Sequence, residues 1–441
     1  MKFQVLDQLQ WHILIDKLSQ KAQTEPSRKM CRDLQPTMGH NDIEKRWAQV
    51  LPLKTLFSRG YRAPIGELPD LTLSFRAASL GQILNGEDLW DIFILLQMTQ
   101  TVRQFTVDQK DRCQTLSRFH GNLYPLPGLS RAIQKAISTE GEILDTATPT
   151  LEKIRRDKVS ARRHIESKIK QLLTERELET YLQDKFFTIR ADRYVVPIRL
   201  DGRGRVDGSI HDTSDSGQTL YIEPLEIKGM NENLLELELA EKLEILKIFK
   251  ELSDQVAAEL EIISANFDNL IELDFLTAQA CLAHSLDAGP VELTTQPILH
   301  LRNARHPLIT TPSGGNAIAN DIMLTKEQRS LIVSGPNAGG KTVVLKTTGL
   351  LHLMAKAGLL IPADENSKIY LFEKVWVSIG DSQNLSASLS TFSGHIYGLK
   401  TIVESAGPKD LVLLDELAVG TEPQAGAAIA QAILEKLAEK N

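Results

Sequence analysis

Gly335-Pro-Asn-Ala-Gly-Gly-Lys341-Thr342 fits the spacing GxxxxGK[ST], with the apolar run Ser330-Leu-Ile-Val-Ser directly before it and a helical run, Val343 to Ala357, directly after. Each part of that spacing has a chemical use. The glycines let successive backbone N–H groups curl around phosphate oxygens, and a helix N-terminus adds positive potential. Lys341 is placed to pair with β and γ phosphates, and the Thr342 hydroxyl to hold Mg²⁺. Gly335, Pro336, Asn337, Ala338, Gly339, Gly340, Lys341 and Thr342 are therefore the candidate nucleotide-binding residues. The plain alternative is a Gly-rich turn followed by a lysine that binds nothing.

A second run, Leu411-Val-Leu-Leu-Asp415-Glu416, reads as a buried strand ending in two carboxylates. Asp415 suits Mg²⁺ held through water, and Glu416 suits a base that polarises an attacking water. Elsewhere two acids at a strand end are ordinary surface charge; beside a phosphate loop they read as the other half of an ATP site. After them, Ala418-Val-Gly420-Thr421-Glu422-Pro423 is a short polar loop before an Ala-rich helix, of the kind that crosses to a partner subunit. Between the two halves lie Gly380-Asp-Ser-Gln-Asn384 and Ser388-Leu-Ser390-Thr-Phe-Ser393, polar residues at a helix start. Such residues either reach a γ-phosphate from an opposite subunit or simply cap the helix. His306, before Pro307, has two readings, a neighbour of the adenine or, more plainly, a turn residue; His395 reads as a structural or surface residue, and both stay outside the catalytic set.

The elements that must position these groups follow from hydrophobic period. Residues 1–149 read as a helical core, with Leu6, Leu9, Ile13 and Leu14 on one helix face and a joint at Tyr124-Pro-Leu-Pro-Gly128. Residues 150–290 hold two long helical runs. The first is rich in Lys and Arg; the second carries Leu235, Leu239, Leu243, Leu246 and Phe249 and, if unbroken from 231 to 284, would span roughly 80 Å. Between them, at about 186–228, strand-like Phe186 to Arg190, Tyr194 to Arg199 and Gln218 to Glu223 alternate with Gly-rich turns. Two long helices around a small β module make an arm with a tip. Residues 291–441 return to alternating strands, at Ile298 to Arg302, Leu331 to Ser334 and Leu411 to Leu414, and helices. The fold class expected is thus multidomain: a mainly α-helical core and arm with a small β-rich module, then an α/β P-loop domain.

Composition excludes other classes. With 441 residues, 42% hydrophobic and 24% charged, the chain is neither a single small core nor a disordered tail. A net charge of −7 confines any nucleic-acid contact to local patches. Lys153, Arg155, Arg156, Lys158, Arg162, Arg163, Lys168 and Lys170 form one such run, with Arg199, Arg203 and Arg205 on the β module; a solvated helix face balanced by Glu152, Asp157 and Glu166 is the plainer reading. Cys31, Cys113 and Cys281 are isolated, against a zinc ribbon or disulfide framework and in favour of a reducing cytoplasm. The first twenty residues lack the apolar core of a signal peptide, and no stretch reaches the roughly 20 apolar residues of a membrane helix.

In ARHPLI at 304–309, GPNAGGKTVVLKTTGLLHLMAKAGLLIPA at 335–363, IGDSQNLSASLSTFSGHI at 379–396, LVLLDELAVGTEPQAGAAIA at 411–430 and, upstream, RYVVPIRLDGRGRVDGSIHDTSDSGQTLYIEP, the chain closely resembles the MutS-type ATPases, and within them the bacterial MutS-two branch. The resemblance implies a homodimer in which each ATP is sandwiched between the phosphate loop of one subunit and Ser390 to Ser393 of the other. It also implies that the residues before about 290 make a core, lever and clamp. Three departures stand out. The only Phe-x-Glu, Phe249-Lys-Glu251, lies within a long helical run, so the mispair wedge of mismatch-repair MutS is not expected. Ala418 and Glu422 replace the family's Gly and Asp. The chain is expected to be C-terminally truncated, stopping before the family's next strand and switch histidine, its dimerisation helices and its Smr nuclease domain.

Three functions compete: an ATPase that clamps branched DNA and suppresses recombination, a factor that splits collided ribosomes through rRNA contacts, and a fragment that only binds. Charge does not separate the first two, because DNA and rRNA share a phosphate backbone. Only residues 342–414 separate Lys341 from Asp415, which leaves no room for the coiled coil of an SMC-type ATPase, and LSTFS replaces a transporter's LSGGQ.

Overall fold

The computed structural model describes residues 3–175, 179–309, 318–336, 340–379, 388–417 and 422–440, with backbone alone at 3, 388–395 and 423. The protein is multidomain and mainly helical, with three small sheets among the described residues. It divides into two compact units, one of residues 1–70, 98–125 and 265–441, the other of residues 71–97 and 126–264.

The first unit opens with α1 (Phe3–Gln8) and α2 (Trp11–Ser19), continues through α3 (Glu25–Arg32) and α4 (His40–Ser58), and leaves for α5 (Thr72–Ser79) in the other unit. The expected single face of Leu6, Leu9, Ile13 and Leu14 is not found, because Gln10 adopts φ 57° and breaks the helix in two. That left-handed residue resets the phase: Leu9, Trp11, Leu14, Ile15 and Leu18 are buried and Ile13 turns outward. Helix α6 (Gly86–Gln109) runs from the second unit into the first, α7 (Gln114–Asn122) follows, and the chain re-enters the second unit between Pro125 and Leu126, before α8 (Pro127–Ala136).

The second unit is built on α9 (Pro149–Leu172) and α10 (Leu225–Ala258), antiparallel, with a four-stranded sheet between them in sequence. Its order is β1 (Thr188–Arg190), β2 (Arg193–Arg199), β4 (Thr219–Pro224), β3 (Gly208–Thr213), all neighbours antiparallel. Tyr194, Val196, Ile198, Leu220 and Ile222 pack on Ile165, Ile169, Leu172, Ile227 and Leu234 from the two helices. Beneath them Glu223 is buried: its carboxylate accepts from Arg193 at 2.8 Å, the Asn231 amide at 2.8 Å and His211 at 2.7 Å. Burial alone would push this carboxyl up; the hydrogen bonds from Asn231, His211 and Arg193 outweigh it and hold it below the ordinary range.

Beyond that cluster the two helices meet differently. Between Leu151 and Ile165 no residue of α9 is fully buried, and between Leu234 and Ile248 none of α10 is. Ion pairs occupy the gap. Glu241 takes Arg155 at 2.8 Å and also Lys158, Glu238 takes Arg162 at 2.8 Å, and Glu244 accepts from the Thr148 hydroxyl at 2.9 Å. Leu239, Leu243 and Leu246, which recur at helical spacing, are more than half exposed, because the side of α10 that faces α9 here carries glutamates. The second long run is also interrupted: α10 ends at Ala258, Glu259 turns, and α11 (Leu260–Ser285) begins.

In the first unit Asp274 of α11 is buried and accepts from Gln23 N–H at 2.9 Å, Thr24 N–H at 2.8 Å and the Thr24 hydroxyl at 2.9 Å, while Ser27 donates to Ile271 O at 2.8 Å. Thr24 is the N-cap of α3, so this carboxylate fixes where that helix starts. Asp274→Ala strands two N–H groups and a hydroxyl in the interior, and a loss of about 3 kcal/mol is expected. Asp274→Asn, which keeps one acceptor oxygen, should recover part of it. Urea unfolding of the three chains checks this; an Ala variant as stable as the wild type would show that the hub is dispensable.

Candidate phosphate-binding site

After α11 a mixed sheet of β5 (Glu292–Thr294), β6 (Leu299–Ala304), β7 (Asn320–Leu324) and β8 (Lys368–Tyr370) forms in the order β5-β8-β6-β7. The candidate site belongs to a separate pair, β9 (Val375–Ser378) and β10 (Leu411–Leu414), which run parallel with Leu411 opposite Val375 and Leu414 opposite Ser378. Asp410 sets that register. Its carboxylate accepts from the Trp376 indole at 2.9 Å, Gly407 N–H at 2.9 Å and Lys374 N–H at 3.1 Å, tying the entry of β10 to the entry of β9. At the far end Asp415 N–H donates to Ser378 O at 2.9 Å, so the ladder carries on to the first of the two acids.

Helix α12 (Lys341–Lys356) packs on this pair. A Cβ at Gly349 would lie 2.7 Å from Leu413 and from Leu9, which places the helix axis close to β10. Gly340, at φ 79°, makes the turn into the helix; this is a left-handed position that a side chain would strain. The Lys341 ammonium donates to Gly335 O at 2.6 Å, so the lysine arches back over its own loop. The Thr342 hydroxyl donates to the Asp415 carboxylate at 2.5 Å. Asp415 is buried, whereas Glu416 beside it is exposed and has φ 49°. A non-glycine residue there costs on the order of 1–2 kcal/mol and turns consecutive side chains apart, one inward to Thr342 and the next to solvent.

Lys341, Thr342, Asp415 and Glu416 are therefore brought to one end of the β9–β10 pair, with Gly335 and Gly340 bounding the loop. Asn337, Ala338 and Gly339 lie outside the described residues, as do 380–387 and 418–421; Ser390 sits on α13 (Ser388–Ser405) without a described side chain, and the last helix is α14 (Pro423–Ala438). Leu331 to Ser334 differs from expectation. It joins no ladder, and Leu331 and Ile332 are 49% and 76% exposed. An apolar run becomes a strand only where a neighbour's N–H and C=O meet it, and among the described residues β10 is paired on the β9 side alone. His306 is buried, its Nδ1 accepting from Leu308 N–H at 3.3 Å in a turn; burial first, then Lys346 and Lys17, push it down to about 4. Asp410 was not singled out from the sequence, although Gly407-Pro-Lys-Asp410 is a turn signal directly before a strand.

The donor set suits a hydrated divalent cation. A hydroxyl and one carboxylate are in contact, and no group of three or more His, Cys, Asp or Glu able to cage a metal occurs among the described residues. Mg²⁺ is commonly bound in this way, by one or two protein oxygens with water and phosphate completing the shell.

The family model for MutS domain V matches residues 331–441. Along the whole chain, proteins called endonuclease MutS2 are similar. That of Pelotomaculum thermopropionicum is 38% identical over 98% of this chain and 54% of its own length. Those of Lactobacillus helveticus and Clostridium perfringens are each 36% identical, over 100% and 99% of this chain and 56% and 55% of their own. The chain thus spans about half the length of the curated relatives it matches.

His352, on the buried side of α12, gives a check on how the helix is seated. It is fully enclosed, its ring lies 5.5 Å from that of Phe372, and the Phe372 backbone is the one polar neighbour that favours its charged form among the described residues. Burial, helped by the Lys356 ammonium, pushes it down to about 3. Because the folded value lies below the unfolded one of about 6.5, the unfolded chain takes up a proton that the folded chain refuses. The stability this neutral ring supports is complete above about pH 6.5 and is lost as pH falls from there toward 3. Wild type should lose about 2 kcal/mol between pH 7 and pH 5 that His352→Leu does not. Urea unfolding of both chains at pH 7, 6 and 5 measures the difference, and a difference that does not change with pH would contradict a buried neutral imidazole.

Proposed function

The chain belongs to the MutS family, in the branch of the proteins called MutS2, and from that premise we propose that it is a nucleic-acid-associated ATPase whose residues 291–441 form the nucleotide-binding domain. The observation that carries the reading is the contact of Thr342, in the first turn of α12, with Asp415 at the end of β10, beside the inward-curled Lys341. In this reading Lys341 exchanges the Gly335 carbonyl for β and γ phosphate oxygens, and the backbone N–H groups that follow Pro336, from Asn337 to Thr342, cradle the phosphates. Thr342 and Asp415 are the residues that would hold Mg²⁺, the latter through water. A bound Mg²⁺ supplies charge neutralisation to the phosphates. Glu416, turned away from Asp415, orients the attacking water and draws on its proton. In the whole protein the reading extends to a homodimer, with Ser390 of a second copy completing the site, and to a lever and clamp formed by residues 150–290.

Branched DNA is the partner proposed first, since the relatives' printed name is that of an endonuclease; rRNA on a stalled ribosome offers the same phosphate chemistry. Nuclease activity forms no part of the proposal. No helix among the described residues is long and apolar enough to cross a membrane.

Lys341→Ala should weaken ATP binding on the order of 100-fold, since it removes the ammonium that this reading pairs with the phosphates. Glu416→Ala should bind ATP within about 3-fold of wild type and lose on the order of 100-fold in turnover. Titration with a fluorescent ATP analogue and steady-state phosphate release separate the two. An equal loss of affinity in both variants would refute the roles assigned.

A further inference from the structure

Helix α9 carries cations on two opposite sides. Arg155, Lys158 and Arg162 are engaged by Glu241 and Glu238 of α10. Lys153, Arg156, Arg163 and Lys170 are not: all four are exposed, and none has an ion pair or side-chain hydrogen bond among the described residues. They recur at intervals of three, seven and seven residues, with Ser160 and Ser167 at the alternating positions between. On an α-helix that spacing sets all six in one line about 25 Å long. The line runs opposite the buried Leu151, Ile165, Ile169 and Leu172. Glu152 at the helix start and the half-buried Asp157 and Glu166 flank it, and no carboxylate lies between Arg156 and Lys170 on the line itself.

We infer that this line is a docking surface for the phosphate backbone of duplex DNA. The inference rests on the nucleic-acid-associated reading above and names the surface that would serve it. A surface that bound another folded protein tightly would carry apolar or aromatic anchors, and a helix lying on a membrane would present an apolar face; the six residues of this line offer only cations and hydroxyls. Cations one heptad apart, about 10 Å, match a polyanion whose charges are regularly spaced and whose sequence is not read. Hydroxyls between them can donate to phosphate oxygens.

The test compares the 441-residue wild type with two fourfold variants of equal charge change. One is Lys153→Gln, Arg156→Gln, Arg163→Gln and Lys170→Gln. The other removes four exposed lysines off the line, by Lys29→Gln, Lys45→Gln, Lys110→Gln and Lys135→Gln. Binding to a labelled 30-base-pair duplex, once as DNA and once as RNA, is followed by anisotropy from about 50 to 200 mM salt, with thermal melting to check that all chains fold. For the line variant the slope of log affinity against log salt on duplex DNA should fall by about 3.6, and affinity at 100 mM salt by on the order of 30-fold. The off-line variant should stay within about 3-fold of wild type. Wild type should bind the DNA duplex at least as tightly as the RNA duplex, and clearly tighter binding of the RNA duplex overturns the assignment to DNA. Equal losses in both variants, or none in the line variant, overturn the inference while leaving the ATP-site reading to stand on Lys341 and Glu416. Displacement of duplex by polyglutamate at equal charge would point to an acidic protein instead and also overturn it. No binding by wild type to either duplex removes both the inference and the nucleic-acid half of the function proposed above.

Discussion

Two parallel strands of four residues are not stable by themselves, and the candidate site hangs from such a pair. What makes it definite is the carboxylate of Asp410, which collects an indole N–H and two backbone N–H groups and so fixes where β10 begins relative to β9. A slip of one residue would send alternate side chains to the opposite face. Asp415 would then leave Thr342, and the acid now exposed would be buried. The geometry of a phosphate site at one end of the pair thus depends on a hydrogen-bonded turn at the other, with Leu411 and Leu413 buried under α12 as the apolar contribution.

The same device recurs away from the site. Glu223 and Asp274 are each buried and each take three donors, but with different electrostatic outcomes. Cationic Arg193, together with Asn231 and His211, holds Glu223 below the ordinary carboxyl range. Asp274 has only hydroxyls and backbone N–H groups, and there burial wins and pushes it up. Removing a partner from either leaves a desolvated group without compensation, which is why such hubs act as fixed points around which helices and strands are placed.

Much of the site was legible in the sequence because a phosphate loop and a strand ending in two acids are local patterns whose chemistry dictates their residues. Lys341, Thr342, Asp415 and Glu416 needed only spacing. What was not legible depends on partners distant in the chain. Strand β3, with one apolar residue in Gly-Ser-Ile-His-Asp-Thr and a bulge between Ile210 and Asp212, has no period to detect. The leucines of α10 recur at helical spacing, yet the partner helix meets the glutamates instead. The basic run of α9 could not be divided into engaged and free halves until α10 was beside it. Leu331 to Ser334 has every local mark of a strand and is not one here, since strand formation belongs to the pair and not to the segment.

The stretch between α9 and α10 where ion pairs replace buried side chains has a mechanical meaning. Apolar contact is indifferent to dissolved salt at ordinary concentrations, whereas the attraction between partly exposed charges is screened with a length of about 10 Å at 0.1 M. Over about 20 Å of the helix pair the stiffness is therefore set by the ionic surroundings, while the apolar zones at either end hold firm. A polyanion that drew Arg155 or Arg162 away from their glutamates would soften the same stretch from within. The helix pair is a beam with a compliant middle, and its compliance is tuned by whatever charge lies against it.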